Sequence, residues 1–129
     1  MAHLRHLHQL HQLHQFHHLA LRVADPVRSA RFYADLLGLR ERKRHEDDEG
    51  VRAVWLALGD AVLMLERSLR PPGPAHGSGH VLVLACDDLA AAAARLAAAG
   101  VEVRDRTQFT LYFTDPDGHR VGLSAYRFE

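Results

Sequence analysis

The sequence predicts an α+β fold of two βαβββ modules that curl into an incomplete β-barrel around a cleft. Three observations predict it. Residues 18–39 read as a short apolar strand, a helix opened by proline and a glycine stop. A looser copy of that stretch begins 62 residues later: His18 and His80, Asp25 and Asp87, and Gly38 and Gly100 are each separated by that interval. Each copy is followed by further strand-like runs. A period this long with matching content marks a duplicated supersecondary unit.

In the first copy, residues 18–24 form strand one by alternation, with His18, Ala20 and Arg22 on one side and Leu19, Leu21 and Val23 on the other. Asp25 suits an N-cap and Pro26 a first helical position. Val27, Ala30, Ala34 and Leu37 then recur at helical spacing, and Gly38 ends the helix. Strand two starts at Leu39 and runs to about His45. The acidic run Glu46-Asp47-Asp48-Glu49, beside Arg42, Lys43 and Arg44, is a solvated hairpin tip. Residues 51–58 and 61–66 are strands three and four, joined by the tight turn Gly59-Asp60.

Residues 69–78, with Pro71, Pro72, Gly73, Pro74 and Gly77, form a linker. The second copy then gives strand five at 80–85, a helix capped by Asp87 and stopped at Gly100, and strands at 101–103, about 109–114 and 119–126. Asp115-Pro116-Asp117-Gly118 is a turn by composition. Module one is thus 18–67, the linker 68–78 and module two 79–126, within one domain spanning 18–129. One such size fits a chain of 129 residues.

Residues 1–17 stand apart as a low-complexity extension. Histidine falls at 8, 11, 14 and 17, leucine or phenylalanine at 10, 13 and 16, and glutamine at 9, 12 and 15. The period of three suits neither strand nor α-helix. A dense histidine tract binds transition metals non-specifically, but a poorly ordered extension is the simpler reading.

Composition narrows the function. Lys plus Arg equals Asp plus Glu at 16 each, so no net field attracts nucleic acid or an anionic lipid surface. A stacking motif for nucleic acid is also missing. Cys86 is the one cysteine and reads as a buried structural thiol within an apolar run. Apolar runs long enough for a membrane helix or a signal peptide are absent, and a cytoplasmic location follows by elimination.

His18 and His80 are the strongest chemical signal, because two imidazoles occupy equivalent places in the two modules. The sequence as a whole resembles the vicinal oxygen chelate superfamily, the glyoxalase / bleomycin-resistance / extradiol-dioxygenase fold. The resemblance rests on H-L-A-L-R-V-A-D at 18–25, R-F-Y-A-D-L-L-G-L at 31–39, L-G-D-A-V-L-M-L-E at 58–66, G-H-V-L-V-L at 79–84 and D-P-D-G-H-R-V-G-L at 115–123. It implies a small-molecule ligand and a homodimer, with the modules paired within or across subunits. It does not fix one activity, since lyases, isomerases, dioxygenases, thiol transferases and metal-free antibiotic-binding proteins share the pattern.

The resemblance also implies four inward-facing metal-ligand positions, which here carry His18, Met64, His80 and Gly122. The glyoxalase-like pattern has glutamate at the second and fourth, so this chain keeps the histidines and departs at both acids. Glu66, two residues beyond Met64, shares its strand face. With His18 and His80 it makes a two-histidine, one-carboxylate set for a divalent ion such as Zn, Ni, Fe or Mn, and Glu66 is then the candidate catalytic base. On that expectation the protein is a metal-dependent lyase, transferase or dioxygenase acting on a small oxygenated substrate. The alternative is a non-catalytic, metal-free binding or resistance protein, in which Met64 is a cavity filler and Gly122 leaves open space. Candidate ligand contacts are Arg22, Trp55, Met64, Phe109, Tyr112, Gly122, Ser124 and Tyr126. Arg22 is weighed equally as an ion-pair partner for Glu66, and Trp55 as a core residue. His45, His76 and His119 fall in or near loops and are expected to face solvent.

Overall fold

The computed structural model describes residues 15–68 and 79–128. Residues 1–14 of the histidine tract and 69–78 of the linker, His76 included, lie outside them. Strand β1 (His18–Val23) leads into helix α1 (Pro26–Arg31), which continues as a π-helical turn over Phe32–Leu36. Strands β2 (Glu41–Asp47), β3 (Gly50–Leu58) and β4 (Ala61–Arg67) complete module one. Module two holds β5 (Leu82–Ala85), helix α2 (Leu89–Ala98), β6 (Asp105–Arg106), β7 (Thr110–Thr114) and β8 (Arg120–Ser124). The sheet orders are β1-β4-β3-β2 and β5-β8-β7-β6, the same order twice. In each, the first strand of the module lies parallel to the last and the remaining pairs are antiparallel. The predicted duplication is therefore the architecture. The two sheets do not close into a barrel within the chain.

Several boundaries differ from the sequence reading. Strand five starts at Leu82, which leaves His80 ahead of the strand, and strand six is Asp105–Arg106 instead of 101–103. The second helix is capped by Asp88, whose carboxylate accepts from the Ala91 amide at 3.0 Å. Asp87 is one residue too early, because only Asp88 reaches the open amides of the first turn. Helix α1 follows expectation: Asp25 accepts from the Val27 and Arg28 amides at 3.0 and 3.3 Å, and Pro26 opens the helix.

The corrected cap exposes an inequality between the modules. Asp25 to Gly38 is 13 residues and Asp88 to Gly100 is 12, by subtraction of positions. The extra residue is absorbed in the π-helical turn, whose wider loops add one residue per turn. Helix α2 ends in a Schellman motif, with Gly100 N–H bonded to Ala97 O and Val101 N–H to Leu96 O. At the end of α1 the corresponding bonds run from Gly38 to Ala34 and from Leu39 to Tyr33, each one residue longer. Both stop glycines have φ near +75°, at 76° and 73°, where a Cβ is penalised.

One core joins the modules. It is built from Leu21 and Val23 of β1, Val54 and Leu56 of β3, Leu63 and Leu65 of β4, Tyr33 and Leu36 of the first helix, and Leu96, Leu111, Phe113, Val121 and Leu123 of module two. The alternation of β1, β3, β4 and β8 puts the opposite residues on faces turned away from that core.

The 115–119 turn of module two clasps module one. Asp117 accepts from the Ala24 amide at 2.9 Å, the Ser29 hydroxyl at 2.9 Å and Arg28 at 3.5 Å. Asp115, only 5% exposed, accepts from the Asp117 and His119 amides at 2.9 and 2.8 Å and from the Tyr33 hydroxyl at 2.7 Å. Burial, then the Asp115 carboxylate, hold the Tyr33 phenol far above its ordinary pKa. The resemblance had pointed to this turn as a motif; its structural work is to bind one half-domain to the other.

Candidate functional site on the two open sheet faces

The face of module one opposite the core carries His18, Ala20 and Arg22 of β1, Val62, Met64 and Glu66 of β4, and Trp55 of β3. The register sets His18 against Val62, Ala20 against Met64, Arg22 against Glu66 and Trp55 against Met64. Trp55 is half-buried here and is absent from the core cluster, whose β3 contributors are its neighbours Val54 and Leu56. Among the described residues, the ion pairs do not include Arg22 with Glu66.

The matching face of module two carries Val83, Tyr112, Gly122 and Ser124, with Tyr112 paired across from Gly122. Val81 and Val83 are each 44% exposed, and Phe109 and Tyr126 stack edge to face at the end of the sheet, 41% and 53% exposed. Ser124 is already engaged: its Oγ accepts from Thr110 Oγ1 at 2.8 Å and from the Tyr126 amide at 3.2 Å.

Gly122 does not open space. A Cβ built there meets Cδ1 and Cε1 of Tyr112 at 3.1 Å and Cγ2 of Val83 at 3.2 Å. The Tyr112 ring lies over the glycine, and the Arg120 guanidinium sits 4.4 Å from the centre of that ring. An acid side chain at this position would need that ring displaced.

The two histidines occupy different surroundings. His18 Nδ1 lies 2.8 Å from His17 Nδ1 at the start of β1. His80 Nε2 lies 3.2 Å from His119 Nδ1, and His119 Nε2 lies 2.9 Å from the carbonyl oxygen of Arg22. That carbonyl is four residues along β1 from His18, roughly 13 Å of extended strand. A carbonyl only accepts, so His119 Nε2 carries hydrogen. A neutral His119 then accepts at Nδ1, and His80 Nε2 is the donor. Among the described residues, no three His, Cys, Asp or Glu side chains gather as a metal-binding group. Within one chain the donor set thus does not fit a three-ligand ion. One imidazole nitrogen is committed to His119, and an aromatic ring covers the place of an acid.

The sequence reading missed two histidines. His119, expected in solvent, is 8% exposed and links the modules. His45, also expected in solvent, lies on β2 with its ring 4.5 Å from that of Trp55. Alternation along β2 was the available signal, but two register shifts in its pairing with β3 obscure it.

A cavity of about 470 Å³ lies elsewhere, on the helix side, where Leu36, Leu58, Leu84, Cys86, Leu96 and Leu123 meet. Cys86 is half-buried there, and burial followed by Asp87 and Asp88 pushes its thiol pKa up. That direction opposes thiolate chemistry and agrees with a structural role.

Two mixed sheets of identical strand order, two helices and a pair of ligand-sized open faces define a small-molecule-handling scaffold of the two-module βαβββ class. The chain belongs to the Glyoxalase/Bleomycin resistance protein/Dioxygenase superfamily, whose family model matches residues 15–123. It is 30% identical over 113 residues to the glutathione transferase FosA of Serratia marcescens, covering 82% of this chain and 77% of the relative. Among solved structures, it is similar to TnmS3, an antibiotic binding protein from Streptomyces sp. CB03234. That match has 27% identity and a TM-score of 0.67, over 85% of this chain and 93% of the other. The fosfomycin resistance protein FosX of Mesorhizobium loti shares the fold, with a TM-score of 0.71 at 18% identity, over 89% and 94% of the two chains. No helix among the described residues is long and apolar enough to cross a membrane.

Proposed function

We propose that the protein is a metal-independent binding protein for a small antibiotic-like molecule, acting as a homodimer. In the dimer, the open face of module one in one protomer meets that of module two in its partner, forming two equivalent clefts. The observation that carries this reading is Tyr112 lying over Gly122, which puts an aromatic wall where a metal-dependent relative needs a carboxylate. Trp55, Met64, Val83, Phe109 and Tyr126 add apolar and aromatic surface, and Arg22 supplies a charge at the edge. Ligand sites combine such apolar walls with a few polar groups. Val81 and Val83 standing exposed on a sheet face support burial by a second copy. The likeness to an antibiotic binding protein at 27% identity agrees with this reading.

A second reading has one specific support, the 30% identity to a glutathione transferase. On that reading His18 of one protomer, His80 of its partner and Glu66 hold a divalent ion, and Glu66 moves the proton. Elemental analysis separates the two. The sample is the chain without residues 1–15, so that the histidine tract contributes nothing, compared with its His18→Ala form. The proposal expects no stoichiometric metal in either and a dimer by sedimentation. One metal per protomer, lost in His18→Ala, overturns it in favour of the transferase reading.

A further inference from the structure

Two side-chain atoms among the described residues are buried without any hydrogen-bond partner, and they belong to rings in contact: His45 Nε2 and Trp55 Nε1. The rings are 4.5 Å apart at an interplanar angle of 58°. An indole N–H has no role but to donate, and leaving a donor shielded from water and unpaired costs about 1–3 kcal/mol. Satisfied burial is the rule in native proteins, so an orphan pair on a putative-free surface such as a core would be anomalous; here both rings sit on the open face of module one. Trp55 lies against Met64 in the register, and His45 lies against Ala53.

A second feature of the backbone bears on the same pair. Strand β2 is the outermost strand of its sheet. Its pairing with β3 shifts register between Glu41 and Lys43 and again between His45 and Glu46, so irregularities flank the histidine. Such bulges at sheet edges re-aim side chains, and they concentrate beside functional sites. The His45 ring is turned onto the indole, on a strand where it moves without disturbing the core.

We infer that His45 and Trp55 form the polar recognition element of this face and select a planar aromatic ligand with a carbonyl oxygen at its ring edge. A carbonyl oxygen has two acceptor sites, one for the indole N–H and one for the His45 Nε2–H tautomer. The planar body of the ligand packs on the remaining aromatic surface. This rests on the open faces being the ligand surface and adds the chemical class that they select.

The chain has a single tryptophan, so its indole N–H gives one unambiguous cross-peak in a ¹H–¹⁵N correlation spectrum. The full chain is titrated with coumarin, which carries a ring carbonyl, and with naphthalene, which is similar in shape and carries none. The expected result is a downfield shift of the indole peak with coumarin and little with naphthalene. Trp55→Phe and His45→Phe each weaken coumarin about fivefold, the loss of one hydrogen bond, and leave naphthalene unchanged. Equal effects of the variants on both probes overturn the inference. So does an unmoved indole peak while the amides of Met64, Val83 and Gly122 shift, an outcome that leaves the binding function standing. If neither probe moves any open-face amide, the inference and the binding function fall together.

Discussion

Tyr33→Phe tests the clasp between the modules. The substitution keeps the fully buried ring and removes only the hydroxyl that donates to Asp115 Oδ2 at 2.7 Å. Packing with Phe32 survives, so the loss is that of a hydrogen bond to a buried carboxylate, about 1.5–3 kcal/mol. Asp115 Oδ1 keeps its two amide donors, which favours the lower half of that range. With a urea slope of roughly 1.5 kcal/mol per M, the midpoint falls by about 1–2 M. The same bond makes a pH prediction. Burial and Asp115 raise the folded-state pKa of Tyr33 above its unfolded value near 10. Above that pH the unfolded chain gives up a proton that the folded chain keeps. Stability from this group is therefore complete below about pH 10 and falls by about 1.4 kcal/mol per unit as pH rises beyond it. Tyr33→Phe loses that part of the slope. Urea melts of both proteins between pH 7 and 11.5 measure both effects. A variant within 0.5 kcal/mol of the parent at pH 7, or with the same alkaline slope, refutes the account of the clasp.

Two further substitutions probe the readings of helix and glycine. Asp88→Ala removes the cap of α2 and should cost about 1 kcal/mol, whereas Asp87→Ala, on an exposed side chain, should stay within about 0.5 kcal/mol; equal costs would contradict the assigned cap. Gly122→Ala should destabilise by about 1–3 kcal/mol because its Cβ meets Tyr112 and Val83, and adding Tyr112→Ala should recover part of the loss. A four-protein urea cycle measures the coupling, and strict additivity would mean that the ring does not occupy that space.

The local grammar of the chain was readable because it is set by nearest neighbours. Asp25-Pro26 and Gly38 announced the first helix, and Gly59-Asp60 the hairpin between β3 and β4. Where two residues compete for one role, neighbours do not decide. Asp87 and Asp88 are the same chemically, and the choice follows from which carboxylate the first turn can reach. The π-helical turn was hidden for the same reason: the apparent 62-residue repeat rested on the wrong aspartate and concealed the extra residue in module one.

The candidate site was legible as a set of faces. Alternation alone assigned His18, Arg22, Met64 and Glu66 to one side of module one. The surroundings of the histidines were not legible, since those depend on partners distant in the chain: the Arg22 carbonyl for His119, and Trp55 across a bulged pairing for His45.

By itself, then, the sequence determined the duplication, the order of elements and the residues available for chemistry, because capping, alternation and turn formation act over a few residues. Only the tertiary structure decided that Tyr112 covers Gly122, that His80 turns to His119 and that the core-facing sides of both sheets meet. Those outcomes depend on which side chains share a volume once the chain has folded, and side chains far apart in sequence compete for that volume under rules that no local pattern encodes.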